Sequence, residues 1–255
     1  MLAAVGGAAL LAGCGASGRG SPKAPATNRL VLQAGAAPSS GECGFGELRG
    51  PQRGAGGATT APSAGTYTYD LSGTETVPGT GQRRLPATST SLVTPTARSQ
   101  GVSCFGVHSR YSDRFSTSRV YLIRGDDVYI AASGFDTPNF VATILPRPAI
   151  LAVAGAGTRW SGAFGGRTSG TYSVEILGRR AIAVGGQNVK AVELSSTARF
   201  RGEVDGTQKV DTWLAEGRSL VLREKSSSDL RFGGATERLS YRVSLRSLTP
   251  GGAGG

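Results

Sequence analysis

Apolar and polar residues alternate along much of the chain after Thr66, and this period of two constrains the fold more than any other feature of the sequence. Successive side chains of a strand point to opposite faces, so each alternating stretch predicts a strand with one face in a core and one face in water. Such strands belong to an antiparallel sheet. The inward residues of the clearest stretch are Leu239, Tyr241, Val243 and Leu245.

Three earlier stretches show the same alternation: Tyr67–Leu71, Tyr172–Ile176 and Val192–Phe200. In the last of them the pattern places Glu193 and Ser195 on the water face.

Short glycine-containing segments separate several stretches and predict hairpin turns: Arg124–Asp127, Gly185–Asn188 and Ala215–Arg218. No stretch has a convincing helical period with caps, although Ala149–Ala156 has the composition of one short helix. At roughly 8 to 12 residues per strand and turn, we expect about eight to eleven strands. The predicted fold class is mainly β: a single strongly curved antiparallel sheet, a half-barrel or open barrel, with little helix.

An apolar stretch near the start, Leu2–Ala12, leads into Leu11-Ala12-Gly13-Cys14. This ending resembles a bacterial lipobox, and the resemblance implies cleavage before Cys14 and attachment of a diacylglyceryl group to its thiol. The stretch is too short for a spanning helix, which needs about 20 residues. No Lys or Arg precedes Arg19, so we expect the true start codon to lie upstream.

We therefore predict a cell-envelope lipoprotein on the extracytoplasmic side of the cell membrane, with a signal peptide at 1–13. A soluble protein with a chance apolar start is the alternative. The Gly-, Ser- and Pro-rich residues 14–65 predict a flexible, lipid-anchored tether, because they cannot bury enough apolar surface to offset the entropy of ordering them. An antiparallel β domain is predicted at 66–250, and a disordered tail at 251–255.

Two cysteines, Cys43 and Cys104, remain once Cys14 carries lipid, and an even number suits an oxidising compartment. A disulfide between them would close a loop of about 60 residues and stabilise the fold by about 4 kcal/mol in the chain-entropy model. Two unrelated free thiols are the alternative.

The formal net charge of +11 predicts attraction to anionic lipid head groups or anionic envelope polymers. Nucleic acid is not expected as a partner, since the aromatic-plus-basic motifs of the common binding modules are absent. Arg238, Arg242 and Arg246 share the water face of the final stretch at steps of roughly 13 Å. They are the candidate anionic-surface residues, and an ordinary solvated sheet face is the alternative.

Catalytic and metal chemistry find little support in the sequence. His108 is the only histidine, so no multi-histidine metal site can form and a Ser-His-Asp arrangement would have to use it. Adjacent Asp126 and Asp127 are better explained by a turn than by a cation site. We expect no enzymatic activity, no metal and no cofactor.

From about Phe140 to Thr249, the order of motifs resembles the lipoprotein-carrier-like half-barrels, including a related group of uncharacterised exported bacterial proteins. The motifs that carry the likeness are Ile144–Pro148, Gly157–Ser161, Gly185-Gly186, Asp211–Leu214, Leu220–Arg223 and Ser247–Pro250. The resemblance implies a curved sheet with an apolar concave side, which in some members holds acyl chains.

Trp160, Trp213 and Tyr241 are the candidate residues for lining such a ligand-binding hollow, and plain core packing is the alternative for each. The functional hypothesis is a non-enzymatic envelope lipoprotein that binds an apolar or amphiphilic ligand or docks at the membrane surface. The alternative is a structural or adhesive wall-associated protein that uses a basic surface and has no ligand cavity.

Overall fold

The computed structural model describes residues 59–99, 101–125, 127–137, 140–144, 149–152, 159–165, 168–232 and 234–251. Within these ranges the chain forms strands and turns but no helix. The fold is one open, strongly curled antiparallel sheet that forms a half-barrel, which confirms the predicted class.

Fifteen strands occur in the described ranges, and their bounds in chain order are β1 Gly65–Val77, β2 Gly81–Arg84, β3 Thr88–Val93, β4 Ala97–Ser99, β5 Val102–Arg110, β6 Ser116–Arg124, β7 Asp127–Thr137, β8 Phe140–Ile144, β9 Ala149–Ala152, β10 Arg159–Phe164, β11 Thr168–Val184, β12 Gln187–Gly202, β13 Val204–Ala215, β14 Val221–Phe232 and β15 Ala235–Leu245.

The sheet consists of two meanders joined by the first and last strands. Its order is β10-β11-β12-β13-β14-β15-β1-β3-β5-β6-β7-β8, with β2, β4 and β9 paired at the side of β1, β5 and β7. The seam between β1 and β15 runs from Tyr69 opposite Leu245 to Thr76 opposite Arg238. Strands distant in sequence are thereby brought together on the inner side of the half-barrel.

The predicted hairpins are confirmed. Between β11 and β12 the turn is Gly185-Gly186, whose φ angles of 54° and 80° are the pair of positive values that a tight two-residue hairpin requires. Arg124 pairs with Asp127 across the β6–β7 turn. The β13–β14 turn is closed by a 3.1 Å hydrogen bond from the Arg218 N–H to the Ala215 carbonyl.

Two predictions about the elements were wrong. The fifteen strands exceed the expected eight to eleven, because strands as short as three or four residues, such as β2 and β4, carry too few residues to show a period. The short helix at Ala149–Ala156 was also wrong: Ala149–Ala152 is strand β9, in which Ala149 pairs with Ile130 of β7, so sheet pairing overrides the composition of this segment. The remainder of that stretch lies outside the described residues.

The main core covers the inner side of the sheet, where the strands contribute alternate side chains. Its largest nearly inaccessible members include Tyr67, Phe105 and Leu222. The predicted inward residues Leu239, Tyr241, Val243 and Leu245 all belong to this core. Alternation in the last strand is therefore confirmed residue by residue.

In part of the sheet, the prediction that each strand has one face in the core and one face in water was wrong. Along β6, Tyr121 and Ile123 join the main core, whereas Val120 and Leu122 belong to a second buried cluster that also contains Cys104. Because neighbouring strand residues point to opposite faces, both faces of β6 are buried. A third cluster, around Leu194 of β12, also contains Ile176, Val192 and Leu214.

Glu193 was predicted on the water face but is only 8 % exposed, and it forms an ion pair with Arg180 on β11. The two strands change register between Ile176 and Gly178, where Leu177 is the extra residue of a bulge. Because the extra residue of a bulge is left out of the strand pairing, the apolar side chain of Leu177 is not packed and is 51 % exposed.

Close approach of β1 to β15 requires a glycine at position 73. The φ angle of Gly73 is 151°, and a Cβ built there would collide with the carbonyl oxygen of Ser240 and the backbone of Tyr241. The seam thus depends on the absence of a side chain at this point.

The chain before β1 is bound to the β13–β14 turn. The Thr60 N–H donates to the Gly217 carbonyl over 3.0 Å, and the Ser219 N–H donates to the Thr60 carbonyl over 2.9 Å. The signal peptide 1–13, Cys14, Cys43, Asp126 and the tail residues 252–255 lie outside the described residues, as does most of the tether.

Candidate functional site

A buried charged group lies in the interior of the half-barrel, between its two meanders. Glu224 of β14 is 2 % exposed and accepts hydrogen bonds from the Arg119 guanidinium of β6, over 3.1 Å, and from the Tyr241 hydroxyl, over 2.6 Å. The Tyr241 and Tyr111 hydroxyl oxygens are 3.2 Å apart. A carboxylate in such a dry environment is tolerated because both of its oxygens are paired.

Strand alternation and sheet curvature bring these residues together. Glu224 lies between Leu222 and Ser226, both buried, so it follows the inward period of β14 although it is charged. Arg119 is 105 positions away in the chain and reaches Glu224 from a strand of the other meander. The ion pair therefore spans the open sheet from one side to the other.

Burial governs the ionisation of the tyrosines around this pair. Loss of solvation, reinforced by the charge of Glu224, raises the pKa of Tyr241 well above its usual value and also raises the pKa of Tyr111. Burial lowers the pKa of Arg119, but the Glu224 carboxylate outweighs that effect and holds the pKa well above its usual value. The phenols therefore stay neutral and the guanidinium stays charged at neutral pH.

A cavity of about 40 Å³ adjoins the ion pair. Both polar and apolar side chains line it, among them Tyr69, Ser91, Val93, Val107, Ser109, Tyr111, Arg119, Tyr121, Ser219, Leu220 and Glu224. The Ser91 and Ser109 hydroxyls are 2.7 Å apart, whereas the buried Ser219 hydroxyl has no hydrogen-bond partner. Since one water needs roughly 10 to 15 Å³, the space suits about three waters.

A second polar cluster lies beside the β1–β15 seam. Glu75 is 1 % exposed and is bound by Arg83 of β2, which also reaches Asp113 over 3.0 Å. Partial burial, and then the charge of Glu75, raise the pKa of Glu237 to about 7. Arg83 binds two of the three carboxylates of this cluster, and no ion pair to the third, Glu237, occurs among the described residues.

The three aromatic residues predicted to line a hollow do not share one. Trp160 packs against the third cluster, whereas Trp213 and Tyr241 pack in the main core. None of the three lines the 40 Å³ cavity. Trp213 lies opposite Arg223 of β14, whose guanidinium carbon is 5.9 Å from the centre of the indole ring.

The arginines of the last strand share the outer face, as predicted, but differ in their partners. Arg238 pairs with Asp229 over 3.0 Å, and Arg246 pairs with Asp70 over 2.7 Å. Arg242 is exposed and has no ion-pair partner in the part of the chain that the structure describes. Two of the three predicted anionic-surface residues are thus compensated by carboxylates on neighbouring strands.

Cys104 is 1 % exposed and is disulfide-bonded, while the Cys43 position falls outside the described ranges, so their pairing stays a prediction. His108 Nδ1 lies 3.0 Å from the Ser118 hydroxyl on the next strand. No group of three or more His, Cys, Asp or Glu side chains with metal-binding geometry occurs among the described residues. No helix there is long and apolar enough to cross a membrane.

Sequence reasoning missed Glu224, Arg119 and the Glu75 cluster. One signal was present: Glu224 and Glu75 each occupy a position that strand alternation assigns to the inner face. Charged residues at such positions point to a buried pair, but the partner strand follows only from the topology.

No protein-family model matches this chain, and no curated protein or solved structure is significantly similar to it. The fold and the interior define the class of molecule: an open antiparallel half-barrel whose inner side is packed around a buried arginine–glutamate pair. Assignment of a function therefore rests on the chemistry of the surface and the interior.

Proposed function

We propose that this chain is a non-enzymatic cell-envelope lipoprotein, attached to the outside of the cell membrane through Cys14, whose β domain works through its outer surface. Its tether and basic composition support this proposal, as they suit a domain held close to an anionic bilayer. Carriage of an apolar or amphiphilic ligand is the second candidate.

The observation that favours the surface over the interior is the packing of the inner side. Ligand pockets usually measure about 300 to 1,000 Å³, whereas the cavity beside Arg119, in the part of the chain that the structure describes, measures about 40 Å³. Tyr67, Phe105 and Leu222 are buried in the core that covers the inner side of the sheet. In having a packed interior, the domain agrees better with the hypothesis of a wall-associated protein without a ligand cavity than with the hypothesis of a ligand carrier.

The buried polar groups support a structural role more than a catalytic one. Both oxygens of Glu224 are engaged by Arg119 and Tyr241, which leaves no free base at the cavity. Ser118, next to His108, is only 9 % exposed in the face of the sheet, so its hydroxyl lacks the access that a nucleophile needs. The contact between His108 and Ser118 fits a structural hydrogen bond between neighbouring strands.

Labelling of the full-length protein in its native host tests the proposal. Metabolic incorporation of a palmitate analogue should label the wild type, and the labelled protein should be found in the membrane fraction. The Cys14→Ser variant should not be labelled. Organic extracts of the purified protein, analysed by mass spectrometry, should contain no stoichiometric free lipid. An unlabelled cytosolic wild type would refute the anchor, and a stoichiometric free lipid would favour the carrier.

A further inference from the structure

Two positive charges lie directly opposite each other on the outer face of the sheet. Lys225 of β14 pairs in register with Arg242 of β15, and both side chains are exposed. Directly opposed residues of antiparallel strands have Cβ atoms roughly 5 Å apart, and like charges at this separation destabilise the sheet. Neither residue forms an ion pair within the described ranges.

Lys209 extends the positive charge onto a third strand. It pairs with Ser227, two positions beyond Lys225 on β14, and it is likewise exposed without an ion pair among the described residues. We call Lys209, Lys225 and Arg242 the basic patch. It runs across β13, β14 and β15, whereas the flanking Arg238 and Arg246 are already neutralised.

One nearby carboxylate offsets part of this charge. Asp211 lies opposite Lys225 in the register and keeps its negative charge, although it forms no ion pair with Lys225 and accepts a 2.7 Å hydrogen bond from the Ser195 hydroxyl on the other side. Asp229 is engaged by Arg238. Three cations beside the one carboxylate Asp211 leave the patch with a net positive charge.

We propose that the basic patch of Lys209, Lys225 and Arg242 docks the β domain onto the phosphate groups of anionic lipids in the membrane. A phosphate oxyanion near Lys225 and Arg242 would replace their mutual repulsion with two charge-assisted contacts. The inference rests on the proposed function, in which the lipid anchor keeps the domain near that bilayer.

A membrane surface fits this arrangement better than a linear polymer does. The cations without ion pairs spread across three strands instead of following one, so they match a plane of head groups. The one large exposed apolar side chain of the described residues is Leu177, which belongs to β11 and not to the patch strands. Binding is therefore electrostatic and peripheral, and it weakens with ionic strength.

Vesicle flotation of the mature chain, residues 14–255, carrying Cys14→Ser tests docking without the anchor and without the apolar signal peptide. We expect binding to vesicles of phosphatidylcholine with phosphatidylglycerol, and none to phosphatidylcholine alone. The double change Lys225→Gln and Arg242→Gln should weaken the partition about 25-fold, since each basic residue near an anionic surface contributes a factor of about five.

The matched control removes two other exposed arginines, Arg98 of β4 and Arg114 of the β5–β6 turn, by substitution with Gln. It has the same net charge as the patch variant and should bind as the parent does. Equal weakening in both doubles would overturn the patch in favour of net charge alone. Binding to anionic wall fragments but not to vesicles would overturn the membrane as the partner.

These outcomes are distinguishable from failure of the proposed function. The flotation assay uses a chain that cannot be lipidated at Cys14, so its result does not depend on the anchor. Absence of palmitate labelling in the wild type would refute the lipoprotein assignment even if the vesicles bound the patch.

Discussion

The Tyr241 hydroxyl donates a 2.6 Å hydrogen bond to Oε1 of Glu224, while Arg119 binds Oε2 over 3.1 Å. Each oxygen of the Glu224 carboxylate thus has its own hydrogen-bond donor. These two hydrogen bonds offset the cost of burying the negative charge. At this point a side-chain ion pair holds the two meanders of the sheet together, in addition to the backbone pairing of the β1–β15 seam.

Removal of the Glu224 carboxylate should destabilise the protein strongly. We expect Glu224→Ala to lower the free energy of unfolding by about 3 to 5 kcal/mol, because Arg119 is left without its counter-ion in the interior. Urea unfolding followed by tryptophan fluorescence measures the change. The control is Glu175→Ala in the exposed pair with Arg159, which should cost less than about 1 kcal/mol. Equal effects of the two substitutions would contradict this account of the interior.

A double variant separates the charge from the packing. Arg119→Met combined with Glu224→Leu removes both charges and keeps apolar volume, so it should be more stable than Glu224→Leu alone, which leaves Arg119 without its counter-ion. If the double variant is no better than Glu224→Leu, the stranded arginine does not account for the loss.

Stability should fall as the pH rises through the range in which Glu237 titrates. The pKa of Glu237 is raised to about 7 in the folded protein by partial burial and by Glu75, against 4.5 without them. The folded state therefore binds the proton more tightly than the unfolded state, and the free energy of unfolding declines between these values as the pH rises. Below and above this pH range Glu237 does not make the free energy of unfolding depend on pH.

Urea unfolding at a series of pH values tests this window. Glu237→Gln cannot ionise and should reduce the decline, and Glu175→Gln, in the ion pair with Arg159 on β11, is the control for the same chemical change elsewhere in the sheet. An unchanged slope in Glu237→Gln would assign the titration to another group.

A methyl group at position 73 should disrupt the seam between the first and last strands. Gly73→Ala forces a Cβ against the Ser240 carbonyl at a positive φ, and we expect a loss of about 3 kcal/mol. At Gly165 a Cβ meets nothing within 4 Å, so Gly165→Ala should change stability by less than about 0.5 kcal/mol. Thermal unfolding compares the two, and a neutral Gly73→Ala would contradict the close approach.

The disulfide predicted between Cys43 and Cys104 has a simple test. Intact mass of the purified mature protein should increase by two protons on reduction, and Cys43→Ser should abolish this increase. The bridge is worth about 4 kcal/mol in the chain-entropy model, so reduction should also lower the midpoint of thermal unfolding. A mass that is unchanged by reductant would show that both thiols are free.

Local patterns predicted the strands and turns well where the period was long and clean. Residues Leu239 to Leu245 and the Gly185-Gly186 turn follow directly from alternation and turn chemistry. The pattern failed at the bulge around Leu177, because one extra residue shifts the period, and at strand β9, whose four residues show none.

The candidate sites depended on pairings that no local pattern contains. Arg119 and Glu224 meet only because β1 joins the two meanders, and Lys225 faces Arg242 only in the observed register. The row of arginines was predicted correctly on the outer face, but the carboxylates that neutralise Arg238 and Arg246 come from other strands. The face on which the charged residues of one strand lie could thus be predicted from the sequence. Their ion pairs with residues of neighbouring strands could not.

The placement of β1 beside β15 sets the order in which this sheet is completed. The strands from β1 to β8 follow one another and can zip together as soon as they emerge, yet the free edge of β1 has to wait for Leu245, the last strand's final residue. Until then the nascent molecule exposes an open row of backbone donors and acceptors, which is the usual starting point for misassembly between chains. A polypeptide built in this way gains its closing partner only after every strand between β1 and β15 has been made.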